Sequence, residues 1–356
     1  MEIIKFKKLE NKEIPLLLKT IKKIKKETKN HDKNIDSFSY WNWKYKELPS
    51  KKSLVFVATY KKNIIGYYHI PIYDFNIQKK KYKIGSIQSV AVLKKYRKKN
   101  IFRNLSIFAN NEANKDLDLI YTFPNDKSIH TFLRYNKFTN ITNLPFYIYP
   151  IKSGELLKSK VNFYGFNLAG KLVDTFFNLF SLKLNKNEKV IEFKKINKEI
   201  INLFSKFSNE HKLFVNRNSS FINWRFGKFS KYGYKIFGIK KNNVLKAIVI
   251  IKIDTIFNCK GIIVMDFAFR EFSDFNKLLK NLSNLNNLYS KSLSFILLSA
   301  ITKDMQKFRN FGFIKVPRAM VPRNLNLLAR STNQKISKLL KDKKSWLITL
   351  SDWDVF

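Results

Sequence analysis

A single cysteine, Cys259, stands among 356 residues, which excludes an intramolecular disulfide and any cysteine-built metal cluster. No metal is expected. Acidic residues are scarce as well, 26 against 69 Lys and Arg, so the formal net charge is +43. Within the basic set arginine is the rare member, 10 against 59 lysines. Nucleic-acid readers favour the bidentate guanidinium fork, whereas here lysine is spread along the whole chain beside abundant Asn and Ile. The charge therefore reads as a compositional bias. Nucleic acid is not the expected partner, although anions in general are attracted at low salt. Long apolar runs are also missing. The greasiest stretch, residues 163–182, is interrupted by Lys171 and Asp174 and falls short of the roughly 20 apolar residues that span a bilayer. Residues 1–10 alternate Lys and Glu with apolar side chains, unlike an apolar leader. These absences predict a soluble, cytoplasmic protein.

What is present is enough apolar and aromatic material, including 33 Phe, to fill packed cores, and a length that suits two domains. An internal repeat supports that division. Asn42-Trp43-Lys44-Tyr45 recurs as Asn223-Trp224-Arg225-Phe226, each tetrad preceded by an amphipathic helical stretch. Gly66 in one β-like run and Ala247 in another lie the same distance beyond Trp43 and Trp224, so the offset is 181 residues at both landmarks. A long hairpin follows in each copy, turning near residues 78–81 and 258–261, and returns as strands over 85–92 and 261–269. Helices are predicted over 101–115 and 274–288, then strands over 117–123 and 293–300, then helices ending at Phe138 and Phe313.

The predicted organisation is an N-terminal domain over 1–150, a connector over 151–189, a second and degenerate domain over 190–318, and a C-terminal helix and strand over 319–356. In the connector, Phe166, Ala169, Val173, Phe176 and Phe180 fall at helical spacing. That helix is read as buried between domains, with peripheral contact to a membrane surface as the alternative.

Each copy reads helix, strand, strand, strand, helix, strand, helix, strand. This order, with the run Tyr96-Arg97-Lys98-Lys99-Asn100-Ile101-Phe102, resembles the GNAT acetyltransferase superfamily, over most of the chain and twice. The resemblance implies an α/β (α+β) fold of two tandem acyl-CoA N-acyltransferase units, each a mixed, mostly antiparallel sheet flanked by helices. It also implies a GNAT-type N-acyltransferase that uses acetyl-CoA or another acyl-CoA as cosubstrate. In that superfamily an Arg/Gln-x-x-Gly-x-Gly/Ala loop follows the fourth strand and opens a helix, whose backbone N–H groups hold the coenzyme pyrophosphate. Val90, Ala91 and Val92 would end the strand. Arg97 would open the motif, Lys98 and Lys99 would follow it, and Ile101 and Arg103 would begin the helix. Asn100 stands where the first glycine belongs and Phe102 where the second small residue belongs. Asn is the non-glycine residue best suited to a left-handed backbone. Asn125, after Phe123-Pro124, would cap the following helix on the cofactor side. In the second copy, residues 267–274 occupy the equivalent place with no glycine and two carboxylates, so the first unit is the expected cofactor site.

Transfer in this superfamily is direct attack by an amine on the thioester, with a base and often a Tyr acid. The usual Tyr position falls on Leu133, which leaves Tyr135 as the candidate acid; His31, His69, His130 and His211, each isolated in sequence, are the candidate bases, with His130 in the last helix facing the expected cleft and carried forward. The terminal Asp352-Trp353-Asp354 brings Asp354 in as a third catalytic candidate, by similarity to Eis-like acetyltransferases, where the C-terminal carboxylate reaches the active site. The acceptor is read as a small-molecule or sugar amine, such as an amino sugar of a surface-polysaccharide precursor. Two other readings stay open: a Fem-type transferase taking its acyl group from aminoacyl-tRNA, and an inactive GNAT pair that binds nucleic acid or a membrane surface.

Overall fold

The computed structural model describes residues 3–28, 37–97, 99–154, 183–227, 233–256, 258–283, 293–321 and 324–353. The apolar connector helix expected over 163–182, His31, Lys98 and Asp354 lie outside the described residues. The chain divides into two compact units, Met1–Asn143 with Leu325–Asp342 and Leu144–Asn324 with Lys343–Phe356. The limits drawn from sequence at 150, 189 and 318 differ from these because two strands leave the unit they follow in the chain.

The first unit opens with β1 (Lys5–Lys8), α1 (Ile14–Glu27), α2 (Phe38–Tyr45), β2 (Ser53–Tyr60), β3 (Asn63–Ile77) and β4 (Lys80–Val92). It continues with α3 (Ile101–Ala113), β5 (Leu119–Thr122), α4 (Ile129–Tyr135) and β6 (Thr139–Asn143). The second unit holds β7 (Phe146–Pro150), β8 (Glu188–Phe193), α5 (Lys198–Ser208), β9 (Leu213–Val215), α6 (Ser219–Ile222), β10 (Tyr234–Lys241), β11 (Val244–Ile256) and β12 (Cys259–Phe269). After these come α7 (Phe272–Ser283), β13 (Phe295–Ile301), α8 (Lys307–Asn310) and β14 (Ile314–Lys315). The chain then returns to the first unit for β15 (Asn326–Ser331) and α9 (Gln334–Leu340), and to the second for β16 (Trp346–Thr349).

In the first unit β1, β2, β3 and β4 form an antiparallel meander, β4 and β5 run parallel, and β15 lies antiparallel between β5 and β6. Helices cover both faces, which explains why β2 is buried almost without interruption. Its residues alternate with period two: Val55 and Val57 meet Leu17, Ile21 and Ile24 of α1, while Phe56 and Ala58 meet Leu105 and Ala109 of α3. The second unit repeats the plan, with β8, β10, β11 and β12 antiparallel and β13 parallel to β12. Here β7 lies between β13 and β14. Thus β7 and β15, each following the last strand of one copy, complete the sheet of the other unit. The turn of the second hairpin comes earlier than expected, since β12 already begins at Cys259 and pairs it with Ile256.

The repeat extends to local chemistry. Ser37 caps α2 by accepting from the Tyr40 amide at 3.1 Å, and Asn218, 181 residues on, caps α6 by accepting from the Phe221 amide at 2.9 Å. Gly85 and Gly261 sit at matching places in β4 and β12. A Cβ there would lie 2.6 Å from Ile70 and 2.2 Å from Phe295, so each glycine admits a large neighbour.

His211, after α5, is buried, with Nδ1 donating to the Phe207 carbonyl at 3.2 Å and Nε2 accepting from the Thr302 hydroxyl at 2.9 Å. Burial holds its pKa below the ordinary 6.5. The unfolded chain therefore binds a proton at this position more readily than the folded chain does. Stability from this group is complete above pH 6.5 and is lost as pH falls towards the depressed folded pKa. Thermal melts across that range should show the melting temperature dropping more steeply with acid in the wild type than in His211→Gln.

Candidate active site

The opening that could admit a ligand lies at the end of β4. The parallel ladder with β5 pairs Gly85 with Ile120, Ser86 with Tyr121 and Ile87 with Thr122, and then stops while β4 continues to Val92. Pro124 follows β5 and offers no donor to extend the ladder. Beyond Ile87, β4 also carries a bulge: Tyr67 faces Ala91 and His69 faces Gln88, so one extra residue is accommodated, and Ser89 takes a left-handed φ of 50°.

The bulge is held from the α1 and α2 face. The Trp41 indole N–H donates to His69 Nε2 at 3.2 Å, and His69 Nδ1 lies 3.1 Å from the Ser89 carbonyl oxygen. An indole can only donate, so Nε2 is the acceptor and the proton sits on Nδ1, donating to Ser89. Tyr45 stacks on the imidazole at 4.2 Å. With both ring nitrogens engaged and no surface exposed, His69 is a fixed strut. Beside it, the buried Lys44 ammonium lies 3.4 Å from the Ser89 hydroxyl and over the rings of Tyr45 and Tyr40 at 5.4 and 5.7 Å.

The turn from β4 into α3 carries the residues expected to face a phosphate. Asn100 precedes α3 with φ 57° and ψ 10°, the left-handed geometry a glycine would adopt, and its side chain makes no capping bond. The first helical bond runs from the Asn104 amide to the Asn100 carbonyl, which leaves the amides of Ile101, Phe102 and Arg103 without intrahelical partners. Phe102 turns away and packs edge-on against Phe132 in the core, with centroids 6.2 Å apart. Arg97 braces the turn, its Nε donating to the Val92 carbonyl at 2.9 Å and its guanidinium 3.8 Å from Glu27. Glu27 also accepts from the Lys94 amide at 2.8 Å. Val90 and Ala91 are partly exposed along β4, and Lys99 is exposed. Asn125 accepts from the Ser128 amide at 3.0 Å and so caps the turn leading into α4.

The two predicted catalytic residues His130 and Tyr135 lie on one short helix, α4. His130 and Tyr135 are both exposed, and the Tyr135 ring is flanked by the guanidinium carbons of Arg103 at 5.0 Å and Arg134 at 5.6 Å. Tyr135 thus belongs with the first turn of α3. A buried network orients that helix: the Asn110 amide donates to Tyr68 Oη at 3.0 Å and to Asn136 at 2.9 Å, and Asn136 donates to Ser106 at 2.9 Å. Burial pushes the Tyr68 hydroxyl far above its usual range, so it stays protonated.

The second unit has the same opening, but its own chain fills it. β12 and β13 pair as far as Val264 and Leu298, and Met265 forms a bulge between Val264 and Asp266. Above that point Ala300 and Ile301 of β13 pair with Thr349 and Ile348 of β16 instead. The turn after β16 then reaches β12. Thr349 Oγ1 donates to Asp266 at 3.0 Å and Ser351 Oγ donates to it at 2.8 Å. Arg217 threads the cluster, donating to Asp266 at 3.3 Å, to Asp352 at 2.5 Å and to the Val215 carbonyl at 2.8 Å. Burial raises the Asp352 pKa against the opposing pull of Arg217. Arg225, the counterpart of Lys44, donates to the carbonyls of Ser351 at 3.2 Å and Trp353 at 3.0 Å. Only Arg270 and Glu271 separate β12 from α7, and Phe272 packs against Phe308 at 5.0 Å there, so no turn comparable to 93–100 exists. Among the described residues no cluster of His, Cys, Asp or Glu could hold a metal ion, and no helix is long and apolar enough to cross a membrane.

The sequence offered His69 only as one of four isolated candidate bases and did not pick out Lys44. The tetrad containing Lys44 and Arg225 was the available signal for the second; the link from His69 to Ser89 depends on a bulge that no local pattern announces.

No protein-family profile matches the sequence, and no curated protein is detectably similar to it. Solved structures match its fold. A GCN5-related N-acetyltransferase from Anabaena variabilis aligns with TM-score 0.62 at 10% identity, covering 93% of this chain and 73% of that one. Saccharomyces cerevisiae N-myristoyltransferase with bound myristoyl-CoA aligns with TM-score 0.57 at 10% identity, over 92% of this chain and 79% of that one. A tandem GNAT protein from the clavulanic acid biosynthesis pathway gives TM-score 0.56 at 10% identity, over 93% of this chain and 99% of that one. The chain has the α/β fold of the GNAT N-acetyltransferases, in tandem form. At these identities the likeness is one of fold.

Proposed function

We propose that the chain is a CoA-dependent N-acyltransferase that holds one acyl-CoA in its first unit and none in its second. The observation that supports this is the contrast between the two copies: β4 and β5 part above Ile87 over an uncapped helix start, whereas the matching gap between β12 and β13 is filled by β16. The amides at the start of α3 and the helix dipole suit a pyrophosphate. Tyr135 between Arg103 and Arg134 offers an aromatic, cationic platform for the nucleotide end, a role its position favours over proton transfer to the thiolate. The acceptor amine attacks the thioester carbon, the C–N bond forms, the C–S bond breaks, and sulfur leaves with the electron pair. The proton lost by nitrogen passes through solvent or a base to that sulfur. Asp354 and His130 are the candidates to relay it. An amino sugar of a surface-polysaccharide precursor is the acceptor to try first, and the cytoplasm, where acyl-CoA is made, the compartment.

Calorimetric titration with acetyl-CoA should give one site per chain. Asn100→Val, a β-branched residue forced to a left-handed backbone, should weaken binding about tenfold, in line with the roughly 1–2 kcal/mol such a conformation costs. Absence of binding by the wild-type protein at millimolar acetyl-CoA would remove the proposal. Co-purified RNA released steeply by salt would point instead to an aminoacyl-tRNA donor.

A further inference from the structure

Resting on the acyl-CoA reading, we infer that Lys44 is a catalytic residue whose ammonium donates a hydrogen bond to the thioester carbonyl oxygen. The duplicated unit supplies the geometry. Lys44 and Arg225 occupy the same place in the tetrad, Lys44 in the last turn of the N-capped α2 and Arg225 in the π-helical turn that continues the N-capped α6, and each is buried. In the second unit the gap beside the β12 bulge is filled by the turn after β16, and the cation at the tetrad position binds the carbonyl oxygens of that filling segment, those of Ser351 and Trp353. Lys44 stands at the matching bulge of the first unit, where its Nζ lies 3.4 Å from the Ser89 hydroxyl.

Whatever enters between β4 and β5 meets the Lys44 ammonium where the second unit meets its own backbone carbonyls. The acyl group is the part of an acyl-CoA that would lie at the bulge once the pyrophosphate rests on the start of α3, so its carbonyl oxygen is the group presented. A primary ammonium suits that oxygen because it carries three N–H donors and a full positive charge. As the amine attacks, negative charge grows on the oxygen, and a nearly buried cation stabilises it more than the neutral thioester. Tyr40 and Tyr45, over which the ammonium lies, fix its direction.

The experiment compares acetyl-CoA with S-ethyl-CoA, a thioether of nearly the same shape that lacks the carbonyl oxygen. Wild-type protein should bind acetyl-CoA about tenfold more tightly than S-ethyl-CoA, the size expected of a charged hydrogen bond. Lys44→Met, checked for folding by circular dichroism, should bind the two alike, and Lys44→Arg should restore part of the difference. Equal wild-type affinities for the two ligands would overturn the inference, even if Lys44→Met failed to fold. So would a folded Lys44→Met that kept the difference. Failure of the wild type to bind either ligand would instead fell the acyl-CoA reading itself, and this inference with it.

Discussion

Arg217→Leu should destabilise the second unit by about 3–5 kcal/mol, because it strips a buried pair of carboxylates of the cation that bonds them both. Arg217 has no exposed side-chain surface and bonds Asp266 on β12 and Asp352 beyond β16, with further bonds from its Nη2 to Thr349 at 3.2 Å and Ser351 at 3.4 Å. For a unit of this size that loss corresponds to a fall in melting temperature of roughly 10 °C. A pH signature should accompany it. Burial already raises the Asp352 pKa, and without Arg217 the carboxyl rises further, so the folded variant takes up a proton more readily than the unfolded chain. The deficit should therefore narrow as pH falls into the carboxylate range. Replacing Asp266 and Asp352 by Leu in the same protein should recover much of the loss, since neither carboxylate is then left buried without its cation. A deficit that is independent of pH and persists in the triple variant would mean that Arg217 acts through packing.

The second large effect is expected at His69. His69→Leu leaves the Trp41 indole N–H and the Ser89 carbonyl without their partners, and at about 1–3 kcal/mol for each the first unit should lose about 2–5 kcal/mol. Acetyl-CoA affinity should fall with it, because the bulge at Ser89 shapes the rim of the opening. His69→Gln, which has one acceptor and one donor group, should lose less of both. In turnover assays His69→Gln should keep the shape of the wild-type pH profile, as befits a positioning residue with both nitrogens engaged. Loss of a limb of that profile would make His69 the general base instead.

The tandem architecture was legible because duplication leaves equal spacings. The tetrads and Gly66 with Ala247 mark the same steps of two copies at one offset, and the structure adds the caps Ser37 and Asn218 at that offset and the matched places of Gly85 and Gly261. The conformation of the turn between β4 and α3 was legible in part. Asn100 has the left-handed backbone that its chemistry allows, while the packing of Phe102 on Phe132 of α4 was not foreseen. The exchange of β7 and β15 was not legible. A short apolar strand has the same alternation whichever sheet it joins, so sequence assigns it by default to its nearest neighbour.

By itself, then, the sequence determined the class of fold, the repetition and the inequality of the two copies, since these follow from periodicity, spacing and local backbone preference. Only the tertiary structure decided which opening is filled. Strand β16 closes the gap in the second unit through contacts between Arg217, Asp266 and Asp352 that span 135 residues of chain. Lys44 and His69 likewise reach Ser89 across 45 and 20 residues. Such pairings depend on where a sheet places its bulge, and no local rule of sequence specifies that.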